Sequence, residues 1–297
     1  MRGAEHVLID CGEGTQTQLM RSIAGLRRLS VILITHCHGD HVLGLPGLLA
    51  TLSDARTDPL LLMGPVGVRA LVDGFRVHFG ELAFPLTIRE VAPGDIERRD
   101  GLRLSAVAAS HRVPSVAWAL VAAPLPGHLI DERLAELGVP PGPQRAALAR
   151  GETVDLGDGR RVAAAQVTGP RRPGRRIVVS GDTRPAPGVA AASAGADLLL
   201  HEATFLERDR DLADRSGHST AGDAARLAAE ARVSLLALVH RSTRYERQEV
   251  LAEARALFAA TVAPADLDMI EMPLAEHGPP RLRPGGGRAI RAGRWDS

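Results

Sequence analysis

The sequence contains no lysine and no asparagine: all 36 basic residues among its 297 are arginine. Without lysine there is no ammonium group to tune as a general base and none to form a Schiff base. The pattern reads as codon bias rather than as function. Only two cysteines occur, Cys11 and Cys37. Two thiols make no disulfide framework and fit a reducing compartment; Cys11 reads as a small core thiol. Aromatic residues make up 3% of the chain, so contact with a nucleic acid cannot rest mainly on base stacking. Net charge is +1, so charge alone announces no polyanionic partner. No apolar run approaches the ~20 residues of a membrane span. The opening MRGAEHVLID has too short an apolar stretch for a signal peptide, and Asp10 follows at once. The expectation is a cytoplasmic protein without a membrane segment. At 45% hydrophobic residues the chain has ample material for a globular core.

Short β-type runs alternate with helix-type segments. Residues 7–9, 31–35, 60–63, 86–91, 102–108 and 116–121 read as strands, and 15–23, 45–52 and 66–77 as helices. Residues 123–176 break the rhythm with PLPG, PPGP, GDG and GPRRPGRR, and read as an inserted arm. Strands then return at 177–180, 197–200 and 235–239, with Ala-rich helices at 220–231 and 247–259. The tail from 279 to 297 carries five arginines and a glycine triplet, and reads as flexible. The expected organisation is one layered α/β domain over residues 1–278, with the arm inserted at about 123–176.

The sharpest signal is His36-Cys37-His38-Gly39-Asp40-His41, directly after a buried-type strand. Imidazole and carboxylate are ligand types that zinc accepts. Alternate spacing lets His36 and His38 converge on one ion, while Asp40 and His41 turn toward a second. The parity of Cys37 argues against its being a ligand. Ends of strands are where α/β proteins build their sites.

HxHxDH after a strand resembles the signature of the metallo-β-lactamase superfamily. That resemblance implies an αββα sandwich with a further histidine, aspartate and histidine at later strand ends. The chain offers His111 in ASHRVPS, Asp182 in SGDTRP and His240 in ALVHRSTRY. The implied site holds two zinc ions per subunit: one on His36, His38 and His111, the other on Asp40, His41 and His240, with Asp182 bridging them. Two such ions can clamp the attacking and leaving oxygens at phosphorus.

Further segments resemble the ribonuclease Z family within that superfamily: DCGEGTQ, GLPGLLAT after the histidine cluster, HEATF, GHST and HRSTRY. The resemblance runs from about residue 7 to 274. It implies an endoribonuclease that removes the 3′ trailer of precursor tRNA and leaves a 3′-hydroxyl. It further implies that Asp40 orients or deprotonates the attacking water and that Glu202 and His218 form a proton-transfer pair. His218 would stand just before a helix capped by Ser219. His201 is assigned a structural role, and Arg244 and Tyr245 are expected to stabilise the site or to contact phosphate.

The arm resembles the family's protruding exosite, including Gly142 and Pro143. Between residues 124 and 176 nine arginines oppose six acids, and Arg171, Arg172, Arg175 and Arg176 cluster at the base. Arginine–phosphate contact gives affinity without reading sequence, which suits an enzyme acting on many tRNAs. The family is homodimeric, one subunit's arm serving the other's site. Two departures stand out. The family's first strand and glycine-rich turn, which precede the position of Met1, are missing, and Ala117 and Trp118 replace the usual glycine and tyrosine near His111. Alternatives on the same fold are a generic zinc phosphodiesterase or other small-molecule hydrolase, with no use for the arm, and an inactive RNA-binding relic.

Overall fold

The computed structural model describes residues 6–99 and 101–285. Its first sheet is parallel throughout, in the order β1 (His6–Ile9), β2 (Leu29–Leu33), β3 (Leu60–Gly64) and β4 (Leu86–Glu90). Strand β2 reads LSVIL, apolar but for Ser30, because a parallel strand is covered on both faces. Ile32, with Ile34 just beyond it, faces one side, where the helices Leu45–Ala55 and Val68–Phe79 lay down Leu45, Leu48, Leu49, Leu52, Val68 and Val72. Val31 and Leu33 alternate to the other face and are also fully buried.

The second sheet begins with β5 (Ile96–Arg99), β6 (Leu102–Ala108) and β7 (Val116–Ala122). Residues Val121–Arg175 form a compact unit of their own. This segment is more ordered than its proline and glycine content suggests. It holds the helices Asp131–Glu136, Pro143–Ala149 and Ala164–Val167, and a hairpin of β8 (Thr153–Asp155) with β9 (Arg161–Ala163). Leu134, Val139, Leu148, Val154, Val162 and Val167 give it a core that short elements hide from any periodicity.

The chain re-enters the second sheet with β10 (Arg176–Val179), β11 (Leu198–Glu202), β12 (Leu235–Val239) and β13 (Thr261–Val262). The sheet order is β13-β12-β11-β10-β7-β6-β5. Alternation again covers both faces. Val178, Leu199, Leu236 and Leu238 pack with the helices Pro187–Ser193, Ala221–Glu230 and Arg247–Leu257, while Leu198, Leu235 and Ala237 join a cluster on the opposite side. Two sheets each carrying helices give the αββα arrangement that the sequence resemblance implies.

A hairpin of β14 (Met269–Glu271) with β15 (Arg281–Arg283) follows. Strand β15 lies at the start of the segment 279–297, expected to be flexible, and there Glu271 pairs with both Arg281 and Arg283. Residues 286–297 lie outside the described part. Trp118 is fully buried, and its indole N–H donates to Ile34 O at 3.1 Å. It thereby ties β7 to the segment that leads into the histidine cluster. Among the described residues no helix is long and apolar enough to cross a membrane.

Candidate metal centre

Parallel strands that run side by side end at the same edge of their sheet. In the register of β10, β11 and β12, Val179 pairs with Leu200 and Glu202 with Val239. Asp182, Glu202 and His240 therefore emerge within about one residue of a common level. Strand β2 of the other sheet ends three residues before His36. The helical turn Gly39–Val42 then carries Asp40 and His41. Gly12 and Gly44 let the loop after β1 press against this turn; a Cβ at Gly12 would strike the carbonyl of Asp40. His111 arrives three residues after β6.

All seven residues expected to ligate metal meet here. His36 Nε2 lies 3.0 Å from His38 Nδ1, and His111 Nε2 lies 3.3 Å from the same nitrogen. Such spacings suit donors around a four-coordinate zinc with bonds of about 2.0–2.1 Å. His240 Nε2 stands 3.2 Å from Asp40 Oδ2, and His41 Nε2 stands 3.6 Å from it. Asp182 Oδ2 lies between the groups: 3.6 Å from His36 Nε2, and 3.5 Å from both His41 Nε2 and His240 Nε2. Buried polar atoms are normally paired. Here the buried His41 Nε2 and Asp182 Oδ1 have no hydrogen-bond partner in the protein. Two buried polar atoms left without partners, in a cluster of imidazoles and carboxylates, fit a bound cation.

The remaining imidazole nitrogens are held from behind. His41 Nδ1 donates to Asp10 Oδ2 at 2.7 Å, and His111 Nδ1 to Gly217 O at 2.7 Å. Thr35 Oγ1 donates to Asp10 Oδ2 at 2.8 Å, and its lone pair then receives His36 Nδ1–H at 3.1 Å. These contacts select the tautomer in which Nε2 offers its lone pair to the centre. Asp10 is a site residue that motif spacing missed. Its signal was its place at the end of β1: a metal-binding histidine wants a carboxylate behind it. It adopts a left-handed conformation, φ 58°, that aims the carboxylate at Thr35 and His41.

Electrostatics divide the cluster. Burial and the neighbouring histidines push the His36 pKa down to about 3, so it stays neutral. Burial also works against charge on His41, but the hydrogen bond to Asp10 and the charges of Asp10 and Asp182 prevail and lift it to about 10. Asp182 is held well below the usual carboxylate range: burial opposes its charge, and His41, His240 and His36 overcome that opposition. The cluster of carboxylates thus creates a demand for positive charge that a cation would meet.

Beside this cluster, Glu202 is fully buried at the end of β11. Its Oε1 accepts from Thr183 N at 2.7 Å and from His218 Nδ1 at 2.9 Å. Burial disfavours protonated His218, but the bond to Glu202 and the charges of Glu202 and Asp182 outweigh it and raise its pKa. The helix Ala221–Glu230 is capped by Thr220, not by the expected Ser219. Thr220 Oγ1 accepts from Asp223 N, and Asp223 answers Thr220 N. Ser219 instead donates to Thr183 O, tying the His218 loop to the loop that bears Asp182.

Other expected residues have different surroundings. Tyr245 is buried, and its hydroxyl donates to Asp209 while Arg208 stacks on its ring, which gives it a packing role. Arg244 lies exposed four residues after His240. Arg171 donates to Pro124 O, Arg172 to Pro126 O, and Arg176 to Ala194 O. Each thus brackets the local backbone with part of its guanidinium; Arg175 also has a partner of its own. Gly142 takes φ 130°, ψ −150°, open only to glycine, and Pro143 starts the helix Pro143–Ala149, so the pair shapes a turn. His201 is buried in β11, as a structural residue would be.

Comparison with known proteins agrees with this geometry. Residues 5–130 and 132–241 match the family described as beta-lactamase superfamily domain. The chain is 41% identical to ribonuclease Z of Methanosarcina acetivorans, with 92% of this chain and 90% of that protein covered. It is 45% identical to ribonuclease Z of Brevibacillus brevis, over 89% and 86%. Among solved structures, human tRNase Z in its short form superposes with a TM-score of 0.63 at 28% identity, covering 92% and 91%. The metallo-β-lactamase fold protein YhfI of Bacillus subtilis superposes at 0.60 with 17% identity over 90% and 87%, and shares the fold alone.

Proposed function

Because the chain belongs to the ribonuclease Z family of the β-lactamase superfamily, we infer that it is a metal-dependent endoribonuclease that removes the 3′ trailer from precursor tRNA. One observation carries the reading: buried Asp182 stands between two groups of histidines, beside the Glu202–His218 pair, in a chain matching ribonuclease Z over most of its length.

We assign the metal as two zinc ions, held by His36, His38 and His111 and by Asp40, His41 and His240, with Asp182 shared. Bound there, they would supply Lewis-acid stabilisation of charge on the phosphate and lower the pKa of a water. The protein's own groups do the rest. Asp40, the most exposed member of the cluster, is open to solvent and orients the attacking water or takes its proton. The water oxygen bonds to phosphorus as the bond to the 3′ oxygen breaks. That oxygen takes a proton from His218, leaving a tRNA 3′-hydroxyl. Glu202 fixes the His218 ring through Nδ1 and keeps it protonated until donation.

Arginine on the Val121–Arg175 unit serves the body of the tRNA. Its small core and nine-to-six excess of arginine over acids between residues 124 and 176 support that role. Arg171, Arg172, Arg175 and Arg176 at its base, the Gly142–Pro143 turn, and Arg244 near the site are the contacts we assign. The test is incubation of the full chain with a precursor tRNA bearing a trailer. Cleavage is expected at the trailer junction, is lost with a chelator, and falls at least about tenfold when residues 133–160 are deleted, as the Gly142–Pro143 turn goes together with Arg133, Arg145, Arg150 and Arg160. Cleavage that ignores the chelator, or a deletion that keeps its full rate on precursor tRNA while folding, defeats the assignment. The reading extends to a cytoplasmic homodimer; light scattering that returns the mass of one chain removes the dimer.

A further inference from the structure

Thr204 lies two residues after Glu202, inside the HEATF segment, where the sequence resemblance assigns it no role. We propose that its hydroxyl is a positioning group that joins the metal-binding His240 to the proton-donating Glu202–His218 pair. The proposal rests on the reading above, in which His240 binds metal and His218 supplies the proton.

Thr204 Oγ1 is 2.7 Å from Glu202 Oε2, 2.8 Å from His240 Nδ1, 3.0 Å from His240 O and 3.3 Å from His218 Nδ1. A hydroxyl has one proton to give. An ionised carboxylate accepts only, and a charge-assisted bond is the strongest on offer, so the proton goes to Glu202. The lone pairs of the same oxygen then face His240 Nδ1, which must carry a hydrogen to fill the 2.8 Å contact. His240 Nε2 is left with its lone pair directed at Asp40 and Asp182, 3.2 and 3.5 Å away. One hydroxyl therefore chooses the tautomer of His240 and completes the bonding of Glu202.

The backbone is arranged for this contact. His240 takes a left-handed conformation, φ 49°, just past the end of β12, where a histidine stays only if its surroundings hold it. Thr204 is fixed because Ala203 N donates to Val239 O at 3.0 Å, which extends the β11–β12 ladder by one step. The rings of His218 and His240 are nearly parallel, 12° apart with centroids at 5.5 Å, and both present Nδ1 to the Thr204 oxygen. Glu202 is fully buried, so it has no water to replace a lost donor. Without the hydroxyl, Oε2 would keep only Thr204 N at 3.4 Å.

Valine has threonine's shape without its hydroxyl, and serine has the hydroxyl without the methyl. Thr204→Val is expected to lower kcat by about 10- to 100-fold with KM nearly unchanged, and to weaken zinc retention in chelator competition by about 10-fold. Thr204→Ser is expected to restore both. Parent values in the valine variant overturn the proposal. So does a serine variant as impaired as valine, since the methyl would then be what matters, and so does a valine defect confined to one readout. If the parent itself fails to cut precursor tRNA, the functional reading has failed, and chelator competition alone still decides whether Thr204 positions His240.

Discussion

Asp182→Ala is expected to lower cleavage more than about 1,000-fold and to strip metal from the centre. Asp182 is 3% exposed, and one of its oxygens stands within 3.6 Å of nitrogens on His36, His41 and His240. Asp182 thus reaches nitrogens of both groups of histidines at nearly equal distances. Its removal takes away the negative charge that would let the two proposed cations sit side by side, and the oxygen proposed to stand between them. The histidines of each group would remain, but the link would not. Metal analysis of the purified variant, with circular dichroism to confirm folding, measures the first part; the rate on precursor tRNA measures the second. A folded Asp182→Ala protein with parental metal content and rate shows that Asp182 is no ligand. Asp182→Asn refines the result: it keeps the shape and one oxygen but not the charge, so it is expected to retain more metal than alanine and to stay slow.

His218→Gln should behave differently. We expect kcat to fall by about 100- to 10,000-fold, the usual contribution of a positioned general acid, while metal content and KM hold. His218 is bound to Glu202 at 2.9 Å, whereas its closest approach to Asp182 is 3.8 Å, so it is placed for proton transfer more than for ligation. The sign of its pH dependence follows from its raised pKa. The acid must enter each turnover protonated, so kcat declines as pH rises through that pKa, and glutamine removes this alkaline limb. Loss of metal from the glutamine variant would move His218 into the ligand set. An alkaline limb unchanged from the parent would assign the donated proton elsewhere.

Much of the centre was legible before any fold was known. The His36–His41 hexapeptide follows β2 directly, and imidazoles and a carboxylate at that density on a strand end have few other uses. Strands β6 and β12 stand where apolar runs place them, at Leu102–Ala108 and Leu235–Val239. Strand β5 was not visible, because Ile96–Arg99 is an exposed edge strand without an apolar face. The helices of the Val121–Arg175 unit were hidden in a stretch punctuated by proline and glycine, since runs of four to seven residues are too short to establish a period. The arginines at 171, 172 and 176 looked like free charge, and their carbonyl partners lie up to 47 residues away in the chain.

Ligand identity is a property of each side chain, and alternation is a property of neighbours. The sequence by itself therefore determined the chemical types at the centre, the strands that deliver them and a layered α/β architecture, which the family resemblance narrowed to αββα. Tertiary structure alone decided what stands behind each ligand: Asp10 behind His41 from 31 residues away, Gly217 behind His111 from 106, and Thr204 behind His240 from 36. The reason is physical. A hydrogen bond needs its partners within about 3 Å, and over such separations only the register of packed strands and the turns at their ends can set that distance.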